Sequence, residues 1–315
     1  MEILSTVAVD KIPVIASREF MPSDANKVGY LCEGNQILPF YTKRKGIIEY
    51  MRFITGVVGS DSIESEKKFL DTAIEYIRDQ RLADFIVAPH TSAVFAAYPE
   101  GADHCRFGSY VIDLSKSEEE LWSAVHSKHR NVIRKAEKDG VIVSCDKEYS
   151  EACKNLVNET AARQHIPGIS DSAFMFMNAN PNVDFWVAIQ NNEVVGASVL
   201  LWSKYSCYYI YGGSSVKSHA GAMNLLHWQA ILSMKARGVR LYDFVGARVN
   251  PAPGSKQEGI QRFKSRFGGE LKVGYMWRYS FSPLKSFLYK IYLKYLGIRK
   301  GSYTKDIIDQ ENENK

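Results

Sequence analysis

The stretch Ala220-Gly-Ala-Met-Asn-Leu-Leu-His-Trp-Gln-Ala-Ile-Leu-Ser-Met-Lys-Ala-Arg-Gly-Val-Arg-Leu-Tyr-Asp-Phe-Val-Gly246 joins a helix to a strand. Ala220–Arg237 reads as the helix, ended by Gly238 in the left-handed cap position. Leu241–Val245 reads as a short buried strand. Upstream, the strand Tyr205–Tyr211 feeds the helix through Tyr211-Gly-Gly-Ser-Ser-Val-Lys-Ser-His-Ala-Gly-Ala222. Before it, Asp184–Gln190 and Val194–Trp202 pair as a hairpin turned at Asn191-Asn192. Downstream come the loop Asn250-Pro-Ala-Pro-Gly254, a strand at Leu271–Ser280 and a helix at Ser282–Leu296. Ser282 stands at its N-cap, Pro283 at its first position and Gly297 after its end. Strands alternating with helices make the class α/β (or α+β).

The first half alternates in the same way. Asp61–Arg81 is a helix with Phe69, Ala73, Ile74 and Ile77 at helical spacing. Asp84–Ala88 and Phe107–Leu114 are strands. Ser117–Asp139 reads as one long helix, opened by a Ser117/Glu120 capping box and stopped by Gly140. Val141–Ser144 is a strand and Tyr149–Gln164 a helix, whereas residues before about 35 show no clear pattern. At 315 residues the chain calls for two units. We expect them at 1–145 and 146–300, with 301–315 as a polar, frayed tail.

Composition excludes several classes. A net charge of +5 is too mild to carry a nucleic-acid function by itself. Five cysteines without a C-x-x-C pair suit a reducing compartment better than a disulfide framework. The N-terminus lacks a basic start followed by a long apolar run, and no stretch of 18 apolar residues exists. The expectation is a cytoplasmic protein. There is no P-loop motif and no G-x-S-x-G elbow. His126-x-x-His129 has no nearby acidic or cysteine ligand set, so the two read as surface histidines and no metal is expected.

Four constellations could carry chemistry. Arg130, Arg134 and Lys138 recur every four residues on one helix face, which is either a phosphate site or a solvated stripe. The junction Tyr211–Ala222 is either an anion cradle at a helix start or a tight turn. Its best alignment with the coenzyme A signature of N-acetyltransferases is Lys217-x-x-Ala220-x-Ala222, which is degenerate. Asp243 interrupts an apolar strand; it either handles a proton of an amine or pairs with Arg248 or a backbone N–H. Lys264 lies in Gly259-Ile-Gln-Arg-Phe-Lys-Ser-Arg-Phe-Gly-Gly269. It is either a cation poised for an oxyanion or a surface lysine on an amphipathic turn.

Taken together, Trp122…Lys128-His-Arg130-Asn-Val-Ile-Arg134-Lys-Ala-Glu-Lys138-x-Gly140-Val, Tyr211-Gly-Gly, Tyr242-Asp-Phe-Val-Gly246 and Gly259-Ile…Phe263-Lys264-x-x-Phe267 resemble the Fem family. Its members are aminoacyl-tRNA-dependent peptidyltransferases of peptidoglycan cross-bridges, within the GNAT-fold superfamily. The resemblance covers about Phe107 to Tyr279. It implies two GNAT-like halves with mixed central sheets, and that Lys264 matches the catalytic lysine with Phe263 as its neighbour. It implies the 3′ end of aminoacyl-tRNA as donor, a UDP- or lipid-linked envelope precursor as acceptor, and no cofactor. The degraded signature at Lys217–Ala222 agrees with a donor other than coenzyme A, acyl-CoA being the alternative. The family's Gln-Ser-x-x-Trp-x-x-x-Lys pattern is missing; Gln36-Ile-Leu-Pro-Phe-Tyr-Thr-Lys43-Arg-Lys45 stands there. That leaves the roles of Lys43 and Lys45 open, and the acceptor open between a stem peptide and a polysaccharide amino sugar.

The C-terminal helix has an apolar stripe of Leu284, Phe287, Leu288, Ile291, Tyr292 and Tyr295. Lys285, Lys290, Lys294, Arg299 and Lys300 surround it. It either packs on its domain or docks on the inner face of the membrane. The leading expectation is aminoacyl transfer. The rivals are an acyl-CoA N-acyltransferase and a non-catalytic RNA- or anion-binding protein on the same fold.

Overall fold

A computed structural model describes residues 1–299 and 305–313. Its elements run β1 (Glu2–Leu4), β2 (Lys27–Glu33), β3 (Gln36–Lys45), β4 (Ile48–Phe53), α1 (Ile63–Asp79), β5 (Phe85–Ile86), β6 (Asp103–Asp113), α2 (Glu118–Ala124), α3 (Ser127–Lys138) and β7 (Ile142–Ser144). They continue with α4 (Ser150–Arg163), α5 (Asp171–Ala179), β8 (Val183–Gln190), β9 (Glu193–Trp202), β10 (Cys207–Ser214), α6 (Ala222–Ala236) and β11 (Leu241–Asp243). The last are β12 (Ala247–Arg248), α7 (Lys256–Ser265), β13 (Glu270–Ser280), α8 (Pro283–Arg299) and α9 (Ile307–Glu313).

The chain forms two compact units that interleave in sequence. The first is Met1–Ser109, Gly246–Asn250 and Lys272–Lys315; the second is Tyr110–Val245 and Pro251–Leu271. This division departs from the expected cut after residue 145. Residues 110–145 pack with the second unit, and 272–299 return to the first. The physical reason is strand pairing. Tyr279 and Ser280 of β13 pair with Ile86 and Phe85 of β5. Tyr242 and Asp243 of β11 pair with Ile112 and Val111 of β6.

In the first unit, β1 to β4 run as an antiparallel meander, β5 joins β4 in parallel, and β13 adds antiparallel to β5. Leu38, Phe40, Phe53, Phe69, Phe95 and Trp277 form its core. The meander escaped sequence reading because Pro39 interrupts β3 and polar residues crowd its end.

In the second unit the order is β6, β11, β10, β9, β8, β7. Its core holds Val125, Ile133, Leu225, Leu226, Tyr242 and Phe244. The β8–β9 hairpin turns as expected at Asn191 and Asn192, both with positive φ (51° and 62°). Gly238, with φ 77°, ends α6. Gly221 caps its start, and no larger residue fits, because a Cβ there would stand 2.2 Å from the Val132 carbonyl oxygen on α3.

The single helix expected at Ser117–Asp139 is two. The capping box is present, but Val125 is extended and His126 caps α3, accepting from Lys128 N–H at 3.1 Å. The His126 N–H is drawn to the Arg266 carbonyl at 2.8 Å, a tertiary bond that competes with helix continuation. Two further expectations fall at the C-terminus. Gly297 lies inside α8 rather than after it. The expected frayed tail contains α9, whose Ile308 is fully buried against Cys105, Phe107 and Met276. Residues 300–304 and 314–315 lie outside the described residues. No described helix is long and apolar enough to cross a membrane.

Candidate active site around Lys264

Strand β11 ends at Asp243, and the chain then turns sharply. The Asp243 carboxylate accepts the Val245 N–H at 2.7 Å. Val245 adopts φ 50°, a left-handed conformation that costs a β-branched residue energy and marks a held backbone. That turn aims the Val245 carbonyl at α7, where it accepts from Lys264 Nζ at 2.5 Å. Helix α7 is capped by Ser255, which accepts the Glu258 N–H at 3.2 Å. Its last turn places Lys264 inward, only 7% exposed.

Lys264 is therefore not the surface lysine that spacing alone allows. Burial pushes its pKa down to about 8, against the field of Asp243, which raises it. Its charge reaches His227, the centre of an aromatic cluster. His227 on α6 is fully buried, with ring centroids 5.5 Å from Phe244, 5.6 Å from Phe263 and 5.6 Å from Phe267. Its Nδ1 shares a hydrogen bond with the Tyr242 hydroxyl at 2.9 Å, while Nε2 has no partner among the described residues. Burial, then the charge of Lys264, then His129 push the His227 pKa down to about 3. His227 is thus neutral at ordinary pH. His129 on α3 is also buried and donates from Nε2 to the Phe263 carbonyl at 3.1 Å. Its pKa falls to about 4, chiefly by burial. His126-x-x-His129 is therefore not a surface pair: His129 is a packing residue and only His126 is exposed. Among the described residues no group of three or more His, Cys, Asp or Glu is placed to hold a metal ion.

The site lies where two parallel strands part. β10 and β11 pair only at Cys207–Tyr242 and Tyr208–Asp243, and β10 then runs on to Ser214 beside β9. A bulge between Tyr209 and Tyr211 redirects it. At Gly212 a Cβ would stand 1.7 Å from the Tyr209 hydroxyl, so a larger residue would displace that ring. Tyr211 is half-buried beyond the bulge. Parting strand ends are where open α/β sheets hold ligands.

The cationic stripe is dispersed. Arg130 folds back and donates to the carbonyls of Ser123 at 2.9 Å and Val125 at 2.5 Å, capping the end of α2. Arg134 stacks its guanidinium over Trp122 at 5.4 Å. Lys138 is exposed. Lys217 is exposed on the loop before α6, and its own N–H goes to Ser215 Oγ at 3.2 Å. Arg248, the alternative partner of Asp243, instead pairs with Glu311 and Gln310 of α9. Lys43 forms an ion pair with Asp24.

Sequence reasoning missed His227 and the Val245 carbonyl, and read the buried His129 as a surface residue. A histidine within Leu225-Leu-His-Trp228 of an apolar helix was the available signal for the first. The carbonyl has no side-chain signature at all.

These units share the mixed α/β fold of the FemX crystal structure. Residues 184–292 match the FemAB family model. The match spans about a third of the chain, on the second unit and the start of the last long helix. The crystal structure of FemX is 14% identical, with a TM-score of 0.66, covering 91% of this chain and 99% of that one. The C-terminal domain of a protein named as a lysylphosphatidylglycerol synthetase, from Agrobacterium fabrum, is 12% identical, with a TM-score of 0.57, covering 90% of this chain and 92% of that one. L-PGS from Bacillus licheniformis is 9% identical, with a TM-score of 0.50, covering 81% and 84%. No curated protein matches the sequence.

Proposed function

We propose that the protein transfers an aminoacyl group from aminoacyl-tRNA to an amine of a cell-envelope precursor. The observation that carries this is the buried Lys264, held between the Val245 carbonyl and the field of Asp243. In such a transfer the amine attacks the ester carbonyl, whose oxygen becomes an oxyanion as the C–N bond forms. The ester C–O bond then breaks, the tRNA ribose oxygen leaves and takes a proton, and the amine loses one. A cation fixed in a water-poor site stabilises that oxyanion more than one in water does. With its pKa at about 8, Lys264 is mostly charged at pH 7 yet costs little to discharge. Asp243 keeps it charged, and Phe263 helps exclude water. A proton-handling role for Asp243 is the weaker part of the reading, since one of its oxygens already holds the Val245 N–H.

The loop before α6 favours a donor other than coenzyme A. The N–H groups of Lys217, Ser218, Gly221 and Ala222 already donate to Ser215 Oγ, Ser215 O, His219 Nδ1 and His219 O. A pyrophosphate at this helix start would have to displace those bonds. Thermal-shift titration separates the donors. We expect a charged minihelix RNA to stabilise the protein and acetyl-CoA not to. The reverse result, or product formed from acetyl-CoA, overturns the donor assignment.

A further inference from the structure

Helix α8, Pro283–Arg299, contains no aspartate or glutamate. One side docks on the first unit. Tyr289, 8% exposed, packs its ring at a tilt 5.0 Å from Tyr50 and 5.3 Å from Phe85, and Lys285 pairs with Asp84 at 2.7 Å. The spacing of Leu284, Phe287, Leu288, Ile291, Tyr295 and Ile298 puts all six on a different face. There they are 69%, 60%, 47%, 50%, 62% and 65% exposed. Packing on the domain therefore accounts for one side of the helix and leaves a continuous apolar face in water. A face of that size marks an interaction surface.

Its charge selects the partner. Lys290 and Lys294 are exposed one turn apart, on the edge of the apolar face, and neither forms an ion pair among the described residues. Asp309 lies within electrostatic reach of Lys290 but is bound by Arg278 at 2.6 Å. At the N-terminal end of α8 a recess of 540 Å³ is lined by Arg44, Arg78, Arg81 and Lys285. Glu49 and Asp84 match Arg44 and Lys285, which leaves Arg78 and Arg81 as net positive charge. A second copy of this helix would bring lysine against lysine with no carboxylate on α8 to meet it. An anionic bilayer meets both requirements, taking the apolar face into the acyl boundary and the lysines among headgroup phosphates. Tyr292 and Tyr295 have the amphipathic rings favoured at that depth.

We infer that α8 lies in the plane of an anionic membrane surface and holds the protein there through Leu284, Phe287, Ile291, Tyr295, Lys290 and Lys294. The inference does not depend on the donor or acceptor of the transfer reaction. Co-sedimentation of the full chain tests it, with vesicles of phosphatidylcholine alone and of phosphatidylcholine with phosphatidylglycerol in equal parts. We expect about tenfold tighter partition onto the anionic vesicles, weakened by salt. Ile291→Glu with Tyr295→Glu should abolish partition onto both vesicles. Lys290→Glu with Lys294→Glu should remove the preference for the anionic ones. These positions are exposed, and an unchanged melting midpoint checks that each variant folds. Failure of the wild-type chain to partition, or binding that the apolar double variant retains, overturns the inference. So does a dimer in sedimentation velocity that the same variant dissociates.

Discussion

Arg278 on β13 and Lys264 on α7 are both largely withdrawn from water, but they are compensated differently. Arg278 meets three carboxylates, Asp103 at 3.1 Å, Asp306 at 2.6 Å and Asp309 at 2.6 Å. Those bonds hold its pKa above the ordinary value despite burial. Lys264 is met by the Val245 carbonyl and the field of Asp243, and burial prevails, bringing its pKa down to about 8. Full pairing fixes an element in place: Arg278 ties α9 to the first unit. At Lys264 burial outweighs the field of Asp243, which lowers the cost of discharging the cation.

Lys264→Met tests the comparison most severely. Turnover in a minihelix transfer assay should fall by about 10²- to 10³-fold, the loss expected for one oxyanion donor. Relief of the buried charge and loss of the Val245 bond act in opposite directions, each on the order of 1–3 kcal/mol, so the melting midpoint should move little. Unchanged turnover would remove Lys264 from the mechanism.

Asp243→Asn should cost less, about tenfold in turnover. The wild-type chain should lose activity as pH rises through about 8, because the lysine then discharges. Without the Asp243 carboxylate that alkaline limb should move to lower pH. A limb that stays in place would show that Asp243 acts through the Val245 turn and not through charge.

Arg278→Leu should leave turnover per folded molecule intact and lower stability by about 1–2 kcal/mol, since its three carboxylate partners are partly exposed and stay hydrated. Its pH dependence differs in sign. Arg278 holds the Asp309 carboxyl below its ordinary range, so that stabilisation is full above the unfolded value. It is lost as pH falls through the folded value. Urea midpoints measured downward from neutral pH should fall less steeply in the variant than in the wild type.

Arg130→Ala carries the smallest effect. It removes a cap from the end of α2, worth about 1 kcal/mol, and should shift the urea midpoint without raising KM for the acceptor. A large rise in KM would restore the phosphate-binding reading of that residue.

What could be read from the sequence was local. Ser117 and Glu120 form their capping box, Asn191-Asn192 turns its hairpin, and Gly238 ends its helix. Those signals act within four residues, where geometry is short-range. Lys264 came forward through the resemblance of its segment to the Fem family; its spacing alone also fitted a surface lysine. Its environment was not legible. The charge of Lys264 acts on His227 of α6, which stands 37 positions earlier in the chain. The split at Val125–His126 depends on the Arg266 carbonyl, and the loss of the cationic stripe follows from it, since Arg130 turns back to cap α2. Local sequence therefore determined the caps and the turns, and the resemblance of one segment pointed to the lysine to examine first. The tertiary structure decided which cations are buried and what lies around them, because desolvation and ion pairing sum over neighbours that only folding brings together.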